Sequence, residues 1–307
     1  MTASITARGA ADRSELDALG PRLSLTLSPA VPAAGDTVTV TAAVTNDCAF
    51  TLRRMWLYVD GVAGRARRFV LGSLPPGGTA TRVHRVTVRA DAEGPFTVTG
   101  HGVFDVTGCT SDAVRSTVAF MLPYQSLRSA FNNVGIADDA KPAAADVDAY
   151  GSSLSAQALA SVGCPPGAVV THDGVRFTWP DVKPGERDNV VSSGQTLLLS
   201  GSGSRLAFLG TSTWGVGRGD GQLLYPDGSS QAFSVEVPDW YGSQPDAAIV
   251  APYRNVAAGR DNTPVSLFFF AVPIQQGKQP RAVVLPNVSP DLRAGTPALH
   301  IFAMTLA

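Results

Sequence analysis

Three short stretches combine flat aromatic rings with rigid polar groups, the pairing that saccharide recognition requires: Asp239-Trp240-Tyr241, Tyr253-Arg254-Asn255, and Trp214 within the glycine-rich segment 213–221. A sugar ring offers C–H groups to an aromatic face and hydroxyls to Asp, Asn or Arg, and Trp and Tyr supply the face at little entropic cost. The candidate carbohydrate-binding residues are Trp214, Asp239, Trp240, Tyr241, Tyr253 and Arg254. The opposing reading packs Trp240, and likewise Trp179 beside Pro180, into corners of the fold. Asp138, Asp139, Asp146 and Asp148 are hard oxygen ligands suited to a structural calcium ion, although their spacing is not that of an EF-hand loop.

Catalytic signatures are sparse. Glu236 with Asp239, or Glu186 with Asp188, are pairs of the type glycoside hydrolysis needs, proposed only on closeness in sequence. The chain has no Gly-x-Ser-x-Gly elbow, no His-Glu-x-x-His and no phosphate loop. His84, His101, His172 and His300 are scattered and read as strand-face or core residues. Cys48 and Cys109 fall in expected loops at one end of a sandwich and are candidates for a disulfide, which would mark an oxidising compartment; Cys164 reads as a lone small residue.

The elements that must position these residues are strands. In 307 residues, 31 Gly and 22 Pro punctuate the chain too often for long helices, while 44% hydrophobic content is ample for packed cores. A net charge of −1 gives no electrostatic reason to expect nucleic acid. The most apolar run, Leu267-Phe268-Phe269-Phe270-Ala271-Val272, is too short for a membrane span. Residues 1–21 read as a polar tail, with a frayed helix at 13–19.

From 22 to 123 the pattern alternates, with Val38, Val40, Ala42 and Val44 on one face, and turn signals at Asp60-Gly61 and Pro75-Pro76-Gly77-Gly78 set off about seven strands. That is an immunoglobulin-like β-sandwich, with Trp56 expected in its core. Residues 124–130 read as a linker. In 131–307 a short helix over 153–160 and ten strands, at 168–171, 175–179, 196–200, 205–210, 222–225, 232–237, 248–252, 265–272, 281–285 and 299–306, suggest a jelly-roll, galactose-binding-like β-sandwich. The fold class is all-β, in two sandwiches.

Two resemblances add to this. Pro32…Gly35-Asp36, Val44-Thr45-Asn46 and Leu74-Pro75-Pro76-Gly77-Gly78 resemble the NEW3 or CARDB immunoglobulin-like modules that accompany glycosidases. In the second half, Phe131-Asn132-Asn133-Val134-Gly135-Ile136, Tyr150-Gly151-Ser152-Ser153-Leu154, Phe177-Thr178-Trp179-Pro180, Asp188-Asn189-Val190-Val191, Pro238-Asp239-Trp240 and Leu299-His300-Ile301-Phe302 follow in order. This series is similar to the C-terminal sandwich beside catalytic domains of secreted bacterial glycoside hydrolases, including α-mannosidase-type enzymes. The resemblance implies an extracellular, non-catalytic accessory role, with carbohydrate and a glycoside hydrolase catalytic domain or subunit as partners and no required cofactor. The alternatives are a structural protein that docks a catalytic partner, and a small glycosidase using one of the carboxylate pairs.

Overall fold

The computed structural model describes residues 21–29, 32–60, 67–88, 95–106 and 109–307. The expected tail helix at 13–19 lies outside them. The chain divides into two compact units, Met1–Leu122 and Pro123–Ala307.

Among the described residues, the first unit has seven strands: β1 (Arg22–Ser28), β2 (Thr37–Thr45), β3 (Leu52–Asp60), β4 (Arg67–Leu74), β5 (Thr79–Thr87), β6 (Pro95–Val106) and β7 (Cys109–Met121). They form sheets ordered β1-β2-β5 and β4-β3-β6-β7 around one core. Val38, Val40, Ala42 and Val44 are buried on the inner face of β2, as strict alternation demands. Buried Asn46 fastens the corner after β2. Its Nδ2 donates to the Leu74 and Phe50 carbonyls, its Oδ1 accepts from the Cys48 N–H, and its carbonyl accepts from the Gly77 N–H. The Val44-Thr45-Asn46 and Leu74–Gly78 motifs therefore meet in space.

Two expectations fail here. Met55, Leu57 and Val59 fill the core, so Trp56 faces outward, half-buried under the Arg68 guanidinium at 5.7 Å. The Cys48–Cys109 disulfide is also absent. Cys48 is a free thiol turned into the core beyond β2, whereas Cys109 opens β7 at the edge of the other sheet, opposite Val106.

The second unit contains β8 (Ile136–Ala137), β9 (Ser153–Ser155), helix α1 (Ala156–Ser161), β10 (Val169–His172), β11 (Val175–Thr178), β12 (Val190–Val191), β13 (Thr196–Leu198), β14 (Arg205–Thr213), β15 (Gly217–Leu224), β16 (Ser230–Val237), β17 (Ile249–Ala251), β18 (Arg254–Val256), β19 (Gly259–Asp261), β20 (Val265–Pro273), β21 (Ala282–Val284) and β22 (Ala298–Leu306). A five-stranded sheet, β12-β22-β14-β20-β17, lies at its centre. One face, with Leu206, Phe208, Phe268, Leu299 and Ile301, packs on the sheet β13-β21-β15-β16. The other, with Ala207, Leu209, Val265, Leu267 and Phe302, is covered by a third layer holding Leu154, α1, β10-β11 and Trp179. A sheet buried on both faces explains why β14 and β20 read as unbroken apolar runs.

A bulge adjusts the centre. Leu209 pairs with Ala303 and Gly210 with Ile301, leaving Phe302 without a partner on β14. Phe302 and Ala303 therefore both face the third layer, where Phe302 stacks on Trp179 at 5.4 Å. Gly210 is needed there, because an added Cβ would lie 2.5 Å from the His300 carbonyl oxygen.

Residues 124–130, expected as a linker, are part of this unit. The Tyr124 N–H donates to the Thr196 carbonyl, Tyr124 accepts from the Leu198 N–H, and Ala130 is buried in the core.

Candidate functional site

The three aromatic segments meet, joined by the loop of the calcium candidates Asp146 and Asp148, whose Tyr150 is not among the expected sugar-binding residues. Trp214 sits in the tight turn between β14 and β15 with φ 60°, a conformation costly for a bulky side chain. Its indole N–H donates to the Asp148 carbonyl. Beside Asp148, Ala149 is also left-handed, with φ 56°. The turn delivers Tyr150, 76% exposed, edge-on to Trp214, 39% exposed, with the rings 5.9 Å apart at 85°.

Further contacts close a ring. The Gly215 N–H donates to Asp239 Oδ2, and Asp239 Oδ1 accepts from the Tyr241 N–H at 2.8 Å. Arg254 lies over the Tyr241 ring at 4.8 Å and reaches Ser152 Oγ at 3.5 Å, returning to the Tyr150 loop. Asp261 accepts from Arg254 Nε at 2.8 Å, and this hydrogen bond is the main reason the Asp261 carboxyl is held below its ordinary range. The exposed rings are Trp214, Tyr150 and Tyr241.

Trp240 and Tyr253 do not present faces to solvent; both are buried in the core beneath the third layer. The Trp240 main chain bonds to Ser212 of β14 and Ser266 of β20, which draws its ring inward, and the Tyr253 hydroxyl donates to Asp139 at 2.7 Å. The glycines read as a loop also prove different. Gly217, Gly219 and Gly221 lie on β15, where added Cβ atoms would come within 2.8 Å of Ser212, Asn287 or Phe233.

Three of the four acidic calcium candidates serve as turn acceptors, and Asp139 is engaged by two side chains. Asp138 accepts from the Ala140 N–H and Gln157, bonds that lower its pKa. Asp139 accepts from Ser155 and Tyr253. Asp146 Oδ1 accepts from the Asp148 and Tyr150 N–H groups, and Asp148 Oδ1 from those of Tyr150 and Ser152. Among the described residues, no group of three or more His, Cys, Asp or Glu is arranged to hold a metal.

The carboxylate pairs are separated by their partners. Glu236 forms a two-pronged ion pair with Arg218, while Asp239 is engaged by the Gly215 and Tyr241 N–H groups. Asp188 is fully buried, accepting from Gly135 N–H, Ile136 N–H and Asn189 Nδ2, whereas exposed Glu186 accepts from the Lys183 N–H.

A buried polar chain runs from Asp188 to the Trp214 turn. Asn189 donates to Asp188 through Nδ2 and presents Oδ1 to His300 Nδ1 at 2.9 Å; His300 Nε2 meets Thr213 Oγ1 at 3.4 Å. Since Asn189 Oδ1 can only accept, the neutral imidazole carries its proton on Nδ1 and accepts from Thr213. Burial pushes Asp188 up to about 6 against the opposing hydrogen bonds, and pushes His300 down to about 3.

Residues 123–307, more than half of the sequence, match the model of the AziU2-like β-sandwich domain. The chain belongs to this family. The AziU2-like domain coincides with the second compact unit, which carries the aromatic ring of contacts. No curated protein matches the chain. Among solved structures, the sporulation control protein Spo0M from Bacillus subtilis is similar at 14% identity over 33% of this chain, with a TM-score of 0.23; the match spans about half (49%) of that protein. No helix among the described residues is long and apolar enough to cross a membrane.

Proposed function

We propose that the AziU2-like domain is a non-catalytic recognition module that binds saccharide at the Trp214–Tyr150–Tyr241 end, working outside the cell beside a glycoside hydrolase catalytic partner. The supporting observation is the Trp214 ring, left partly exposed on a left-handed backbone and braced by Tyr150 and Asp148. A ring carried on a strained backbone and braced by two neighbours is a pre-organised surface, so little entropy is lost when a sugar ring stacks on it. Asp239 and Arg254 border it with groups able to orient hydroxyls.

Calorimetric titration against a glycan panel tests this reading. Trp214→Ala is expected to weaken binding about tenfold or more, the loss of one aromatic stacking partner with its buried area. Absence of binding by every saccharide, or equal affinity in Trp214→Ala, removes the site.

The burial of Trp240 and Tyr253 favours a second reading, in which the same exposed rings dock a catalytic protein partner. In that case the Trp214→Ala variant loses the partner in co-purification and no sugar competes for it.

A further inference from the structure

We propose, building on the saccharide reading of this end, that the Trp214–Tyr150 corner selects sugars bearing a protonated amine over neutral and acidic ones. Two rings at 85° and 5.9 Å leave two faces meeting nearly at a right angle, both partly open to solvent. Ring faces are the negative side of the aromatic quadrupole, and an ammonium group set against two of them is attracted by both.

The surrounding charge has the same sign. Asp146 and Asp148 both place Oδ1 within 3.2 Å of the Tyr150 nitrogen, and Asp239 binds the residue next to Trp214. The hydrogen bonds of all three come from backbone N–H groups, which carry no charge to cancel theirs. Among the described residues, none of the three forms an ion pair. The guanidinium in the ring of contacts, Arg254, is already matched by Asp261 at 2.8 Å. Three uncompensated carboxylates hydrogen-bond the backbone of Tyr150 or of Gly215 beside Trp214, which sets them at the aromatic corner and within the Debye length of about 8 Å at physiological salt. The corner thus attracts an amine, is indifferent to a neutral hydroxyl and repels a uronate.

The test is titration of the full chain with glucosamine oligomers, their N-acetylated counterparts, neutral gluco-oligomers and oligo-uronates of equal length, at low and high salt. The expected order is amine first and uronate last, with the amine advantage shrinking at high salt. Asp146→Asn keeps the Oδ1 acceptor for both N–H groups while removing the charge. It should lower the ratio of amine to neutral affinity about two- to fivefold, the range of one exposed charge pair. Asp148→Asn provides the same measurement independently, with each variant's fold checked by its thermal transition. If neutral and amine oligomers bind equally, or the ratio is unmoved in both variants, amine selection is overturned and saccharide binding stands. If no oligomer binds, both fall.

Discussion

Trp214 and Ala149 are two non-glycine residues in the left-handed region, tied together through the Asp148 carbonyl. The backbone cost at Ala149 is about 1–2 kcal/mol, and glycine avoids it at the expense of roughly 0.5–1 kcal/mol of chain entropy. Ala149→Gly should therefore leave thermal stability unchanged or raise it by a degree or two, measurable by calorimetry; a clear fall would show that the Ala149 methyl carries packing. A second prediction concerns Asp188 and His300. With Asp188 raised to about 6 from about 3.9 in the unfolded chain, its contribution to stability is complete below about pH 4 and disappears as pH rises through 6. With His300 lowered to about 3 from about 6.5, its contribution is complete above about pH 6.5 and disappears as pH falls toward 3. Between about pH 4 and 6 the two proton balances oppose one another, so this pair makes stability nearly flat. Asp188→Asn removes one side, and the folding equilibrium should then fall by up to about tenfold per pH unit on acidification from 6.5. Urea denaturation at successive pH values reads this directly, and a flat profile in the variant refutes the opposition. Trp214 and Tyr241 were legible as exposed aromatics because they follow strands and border Gly or Asp, whereas Tyr150 required a left-handed turn at an alanine, which sequence does not announce.

Strands β14, β20 and β22 show what sequence periodicity can and cannot reveal. Their apolar runs identify them as strands, and the other seven expected strands of this half are also present within a few residues. The same runs hold no record of what covers each face. The covering layer includes β8, β9, β18 and β19, each of two or three residues, too short to produce a period of two. The glycines of β15 misled for a related reason: alternate glycine reads as a flexible loop, yet here it is a strand face pressed by its neighbours. Gly221 is the sharpest case, since a Cβ would lie 2.4 Å from the Phe233 ring and 2.7 Å from the Val284 carbonyl, a backbone atom that pairing holds in place. Gly221→Ala should destabilise by about 1–3 kcal/mol. Gly242→Ala meets no atom within 4 Å and suffers only from its φ of 85°, so it should cost about 1–2 kcal/mol through backbone strain alone. Phe233→Ala should relieve part of the first variant's loss, leaving the Val284 carbonyl clash, and none of the second's, measured by chemical denaturation.

Among the described residues, the first compact unit has one buried cluster of its own and the second has two. Residues 123–307 expressed alone are therefore expected to unfold cooperatively and keep saccharide affinity within about twofold. A non-cooperative melt would show that the first unit completes the second. The change from strict alternation to denser acidic residues beyond about 122 was visible. The packing of 124–130 onto the second unit was not, because Tyr124 joins through main-chain bonds that any residue but proline could make. The pairing of β14 with β22 has a biosynthetic consequence. Leu206–Leu209 emerges from the ribosome some ninety residues before β22, and although β20 can take one edge of it earlier, the edge that β22 fills stays open while the intervening chain is made. Nascent chains halted ahead of Ala298 should be clients for chaperones and proteases, and those extended through Leu306 should escape them.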